Sequence, residues 1–117
     1  MSKKIYHLST CNTCQRIIKE LGGEKEFELQ NTKEKHVTAK ELDQVKKVAG
    51  SYEALFNRRA MKYRKQGLHE QDLSEADYKK LILGEYTFLK RPIVVIDEQI
   101  FIGNSKKVVA AAKEALQ

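Results

Sequence analysis

The chain has 117 residues, 41% hydrophobic and 32% charged, with six glycines and a single proline. This is the length of one domain, enough to remove roughly two thirds of the unfolded chain's surface from water. The composition excludes disordered and collagenous classes, and no apolar run approaches the roughly 18 residues of a membrane span. A net charge of +6, from 22 basic and 16 acidic residues, suits an anionic partner such as an acidic protein face or a small oxyanion. The densest basic stretch is Arg58, Arg59, Lys62, Arg64 and Lys65, alternating with Met61 and Tyr63. Elsewhere acids interrupt the bases, so nucleic acid is not the expected partner. The opening MSKKIYHLS lacks the apolar stretch of a signal peptide, and a cytoplasmic location is expected.

In chain order, residues 3–9 suit a short buried strand. From Cys14 the apolar positions Cys14, Ile17, Ile18 and Leu21 follow the spacing of one helix face, and Gly22-Gly23 stops the helix. Glu24–Gln30 alternates around Phe27 and Leu29, predicting a second strand. Residues 31–89 read as helical. Thr38 and Glu41 form a capping box ahead of Leu42, Val45 and Val48, with Gly50 as stop. Ser51–Phe56 predicts a short helix, and Ser74 with Asp77 opens another carrying Tyr78, Leu81 and Ile82 to about Gly84. Ile93–Ile96, a turn at Asp97-Glu98 and Ile100–Ile102 predict a hairpin. Ser105 caps a last helix with Val108, Val109, Ala112 and Leu116 on its apolar face.

The order β-α-β, helices, β-β-α is that of a single α/β domain, residues 1–117, of the thioredoxin-like fold. It predicts a central mixed four-stranded sheet with a helical insertion over approximately 31–89. Such folds place a cis proline opposite the thiols, and Pro92 opens the third strand.

The two cysteines, Cys11 and Cys14, form one CxxC at the strand-to-helix junction. A disulfide across so short a loop gains little chain entropy, and a cytosol would not keep it oxidised. A zinc site needs further Cys or His ligands, and His7, His36 and His69 show no ligand spacing. A working thiol pair is the better reading. Unpaired N–H groups and the helix dipole favour a thiolate at Cys11. Cys14, in line with the apolar face, is expected to be more buried and less acidic, as either a resolving thiol or a small core residue.

The sequence resembles the ArsC family: arsenate reductases of the glutathione/glutaredoxin-linked type and their Spx-like and YffB-like relatives. The resemblance covers essentially the whole chain. It rests on Tyr6-His-Leu-Ser-Thr-Cys11-Asn-Thr-Cys14, on Ala54-Leu-Phe-Asn-Arg-Arg59 with Tyr63-Arg64-Lys65, on Lys90-Arg91-Pro92-Ile-Val-Val and on Gly103. It implies that Cys11 is the nucleophile and that Arg91 and Arg59, with Arg58 as the alternative to Arg59, belong to an anion site. Thr13 and Asn104 join the anion-binding candidates. Asn104 stands where arsenate reductases of this type carry a third arginine, and it offers a hydrogen bond without charge. Many of those reductases have no cysteine at the position of Cys14, whereas Spx-like regulators do. The resemblance therefore implies a thiol oxidoreductase with no metal or bound cofactor, supplied with electrons by glutathione, glutaredoxin or thioredoxin. The alternative is an Spx-like regulator that docks on RNA polymerase and uses the CxxC as a redox switch.

Overall fold

In the computed structural model, which describes residues 3–117, β1 (Lys3–His7) runs through the middle of a four-stranded sheet. The strand order is β2-β1-β3-β4, with β2 (Glu28–Asn31), β3 (Ile93–Ile96) and β4 (Gln99–Ile102). β1 lies parallel to β2 and antiparallel to β3, and β3 turns back onto β4 as a hairpin. The result is the mixed sheet of the thioredoxin-like fold.

Of the described residues, those up to His36 form one compact unit with Arg91–Gln117, and Val37–Lys90 form a second. In the first unit, α1 (Asn12–Leu21) follows β1 and α5 (Lys106–Ala115) follows β4. α1 buries Cys14, Ile17, Ile18 and Leu21, the face its spacing predicts. Ile17, Ile18 and Leu21 pack with Ile5, Phe27, Val94, Ile96 and Ala112 in one apolar cluster. Gly22 ends α1 at a φ of 117°, a left-handed conformation open to glycine, and its N–H returns to the carbonyls of Ile18 and Lys19. β2 begins at Glu28, later than the alternation suggests, because Gly23–Lys25 winds into a 3-10 turn. Phe27 is buried all the same, as the residue that leads the chain back into the cluster.

The second unit holds α2 (Ala39–Ala49), α3 (Met61–Lys65) and α4 (Glu75–Gly84), with 3-10 turns at Glu53–Leu55, Leu68–Glu70 and Tyr86–Phe88. The predicted capping box of Thr38 with Glu41 is present, and Ser74 with Asp77, the predicted start of α4, forms a second one. Val48 is 52% exposed, against expectation. Two successive steps of three residues drift about 120° around a helix, carrying Val48 off the face that Leu42 and Val45 bury. Ser51–Phe56 contains a single 3-10 turn, whose N–H groups at Tyr52 and Glu53 donate to the Glu75 carboxylate at 2.7 and 3.1 Å. The core of this unit is aromatic: Phe56 is fully buried and lies 5.1 Å from the rings of Tyr78 and Phe88 and 5.5 Å from Tyr63. Among the described residues, no helix is long and apolar enough to cross a membrane.

Candidate active site

The strand-to-helix junction is built from the end of β1 outward. The His7 carbonyl accepts the Thr32 N–H at 2.8 Å and the Thr32 hydroxyl at 3.0 Å, tying β1 to the chain leaving β2. Asn31 accepts the Ser9 N–H at 3.1 Å and donates to its hydroxyl at 3.0 Å. With both sides fastened, the chain turns tightly: the Cys11 N–H reaches back to the Leu8 carbonyl at 3.0 Å. Cys11 then serves as N-cap of α1 with extended backbone angles, and its Sγ accepts the Cys14 N–H at 3.4 Å.

The two thiols sit in unlike surroundings. Cys11 is partly exposed, whereas Cys14 is fully buried against the α1 core face. Burial pushes the Cys11 thiol up, but the backbone N–H and thiol of Cys14 and the Arg91 guanidinium outweigh it and hold the thiol below the ordinary cysteine range. Cys14 is pushed up to about 12, by burial first and then by its hydrogen bond to Cys11.

Arg91 reaches the site from the far side of the sheet's centre. Tyr6 pairs with Ile93 and Ile93 with Ile102, so the start of β3 lies beside the ends of β1 and β4. The Arg91–Pro92 peptide is cis, as the fold predicts, and Pro92 is buried. The Pro92 carbonyl accepts the Gly103 N–H at 2.9 Å, which brings Asn104 to the same end of the sheet. Arg91 keeps its Nε and Nη1 buried with no hydrogen-bond partner among the described residues. Buried guanidinium donors are costly to leave unpaired, so this group is suited to receive an anion.

Of the residues singled out from sequence, Cys11, Thr13, Cys14, Arg91, Pro92 and Asn104 thus belong to one end of one sheet. Thr13 is half-buried in the first turn of α1, and the Asn104 side chain is exposed. Arg59 belongs to the second unit, exposed in the turn before α3, where its N–H donates to Asn57 Oδ1 at 3.1 Å. Its neighbour Arg58 is engaged, with Glu53 at 2.6 Å and the Tyr78 hydroxyl at 3.1 Å. Of the fastening residues, Ser9 stands within the Tyr6–Cys14 motif, but Asn31 and Thr32 lie outside every motif. The polar run after β2 signals a turn but not its partner. Among the described residues, no group of three His, Cys, Asp or Glu side chains could hold a metal.

A central mixed sheet, a CxxC at the N-terminus of the first helix and a cis proline at the start of β3 define a thioredoxin-like thiol domain. The ArsC family model matches residues 6–112, and the chain belongs to the ArsC family. Solved structures agree in fold. A protein related to the ArsC family from Bacteroides fragilis superposes with a TM-score of 0.82 at 21% identity, over 97% of this chain and 98% of its own. An arsenate reductase from Vibrio cholerae gives 0.76 at 20% identity, over 98% of both chains. A Staphylococcus aureus protein gives 0.73 at 24% identity, over 93% of this chain and 96% of its own. No curated protein matches the chain in sequence.

Proposed function

We propose that this ArsC-family chain is a cytosolic thiol-dependent oxidoreductase in which Cys11 is the nucleophile and Cys14 the resolving thiol. The inequality of the two thiols carries the reading: Cys11 accepts an N–H at a helix N-terminus beside a guanidinium, while Cys14 is buried and protonated. The Cys11 thiolate attacks one sulfur of a disulfide substrate. That S–S bond breaks, the leaving thiolate takes up a proton, and Cys11 is left in a mixed disulfide. Cys11 then no longer accepts a hydrogen bond from Cys14, removing one of the causes that hold Cys14 up. Cys14 gives up its proton and attacks Cys11 Sγ, forming the internal disulfide and releasing the second substrate thiol. Two electrons have passed to the substrate. Two molecules of glutathione, or the thiols of glutaredoxin or thioredoxin, return them.

Arg91 is the primary anion-binding group in this reading, with Thr13 and Asn104 as further members. The uncharged Asn104 favours a thiol or disulfide substrate over arsenate, since each charge-assisted hydrogen bond contributes about 1.5–3 kcal/mol. The test is mass spectrometry after incubation with glutathione disulfide. Cys14→Ser should accumulate a mixed disulfide on Cys11, and Cys11→Ser should form little adduct. Equal yields on the two variants would overturn the assignment. The CxxC also fits a redox-responsive regulator that docks on RNA polymerase. Capture of the polymerase by the oxidised but not the reduced chain, without turnover of any disulfide, would favour that second reading.

A further inference from the structure

Gln15 stands one residue beyond the CxxC, at the surface of α1, and its amide points back towards the loop that carries Cys11. Its Nε2 lies 3.2 Å from the Leu8 carbonyl and 3.3 Å from His7 Nδ1. The Leu8 carbonyl can only accept, so the amide group facing it must be the NH2 and not the oxygen. One hydrogen of that NH2 goes to Leu8, and the other points at His7 Nδ1. His7 Nδ1 is therefore the acceptor, and a neutral His7 carries its proton on Nε2. His7 is buried in β1, and burial holds its imidazole below the ordinary range against the opposite pull of Glu34. The same Leu8 oxygen also accepts the Cys11 N–H at 3.0 Å. One carbonyl is thus held from two sides, by the nucleophile's own backbone and by a side chain from the helix it caps.

We propose that Gln15 is a positioning residue for the thiol chemistry, locking the Leu8–Cys11 turn through the Leu8 carbonyl and fixing His7 as the Nε2–H tautomer. The proposal rests on Cys11 being the reacting thiol. Without the amide, the Leu8 carbonyl keeps only the Cys11 N–H bond, and the turn is otherwise held by Asn31 at Ser9. Cys11 Sγ is then held less firmly over the Cys14 N–H, and less of it is thiolate at neutral pH.

The test has two arms. Long-range 15N–1H NMR of the wild-type chain reads the His7 tautomer with no substitution, and the expected signal is Nε2–H. Gln15→Glu keeps the shape but replaces both donors with acceptors, so His7 Nδ1 should become protonated. Mass-resolved alkylation of Cys11 by iodoacetamide should slow about fivefold in Gln15→Leu, the worth of one ordinary hydrogen bond, and further in Gln15→Glu. Gln15→Lys, which can still donate to Leu8, should recover most of the rate. A wild-type His7 protonated on Nδ1 would overturn the proposal, as would wild-type alkylation rates in both Gln15→Leu and Gln15→Glu. A label that falls on Cys14 in the wild type is a different result, because it removes the Cys11 assignment itself.

Discussion

The N-terminus of α1 and those of α2 and α4 solve the same problem differently. Each helix begins with N–H groups that no helical carbonyl can satisfy. α2 and α4 answer with full capping boxes: Thr38 and Ser74 accept the third N–H at 3.1 and 3.2 Å, and Glu41 and Asp77 return the bond at 2.9 Å each. Their first turns also carry carboxylates, which suit the positive end of the dipole. α1 has no acidic residue in its first turn, and its cap is a sulfur accepting at 3.4 Å. A thiol is a weak acceptor, whereas a thiolate is a strong one. The open end of α1 therefore stabilises the ionised nucleophile, and the closed ends of α2 and α4 stabilise only their helices.

The substitution that separates the two kinds of terminus most sharply is Cys11→Ser. A hydroxyl caps as well as or better than sulfur, so chemical denaturation should show a stability change of no more than about 1 kcal/mol. Alkylation and adduct formation should fall by about two decades or more, since a thiol with a pKa of about 12 is ionised in only about one molecule in 100,000 at neutral pH. A Cys11→Ser chain that still reacts at a rate near wild type would erase the distinction.

The second expectation concerns pH, and the two thiols act with opposite sign. Cys14 is raised in the folded chain, so its contribution is complete below the unfolded value of about 8.5 and is lost as pH rises towards about 12. Cys11 is lowered in the folded chain, so its contribution is present above its unfolded value and is lost as pH falls through the folded one. Above about pH 9, burial of Cys14 should dominate and stability should decline. Urea denaturation of wild type and Cys14→Ala at several alkaline pH values isolates this term, and the variant should decline less steeply. Parallel slopes would mean that Cys14 is not held protonated by burial.

The smallest effects belong to the closed ends. Thr38→Ala and Ser74→Ala should each cost about 1 kcal/mol of stability and leave the rate of Cys11 alkylation unchanged. A change in that rate would show that the caps of the second unit also serve the thiols.

Features governed by neighbours in sequence were legible without coordinates. The α1 face at Cys14, Ile17, Ile18 and Leu21, the caps at Thr38, Ser74 and Ser105 and the Ile93–Ile102 hairpin all depend on groups a few residues apart, where periodicity and capping chemistry operate. Cys11 at a helix N-terminus belongs with them, since a strand, a CxxC and an amphipathic stripe in succession leave the first thiol nowhere else to go. The start of β2 and the exposure of Val48 were misread because a 3-10 turn and helical drift shift a pattern without erasing it.

Contacts between distant residues were decided only by the tertiary fold. β1 takes the sheet's centre by pairing with β2 on one side and β3 on the other, and this brings Arg91, 80 positions after Cys11, to the thiol. The Arg91 donors left without partners, the Asn31 clasp on Ser9 and the Gln15 amide shared by Leu8 and His7 have no signature in composition or spacing. The last two are each one hydrogen-bonding group meeting another across a turn or a sheet, and local propensity carries no information about which distant group that will be. The sequence by itself determined the kind of thiol and the helix that holds it, because both follow from local rules. The charge beside that thiol and the turn that aims it were decided by sheet pairing, which is non-local.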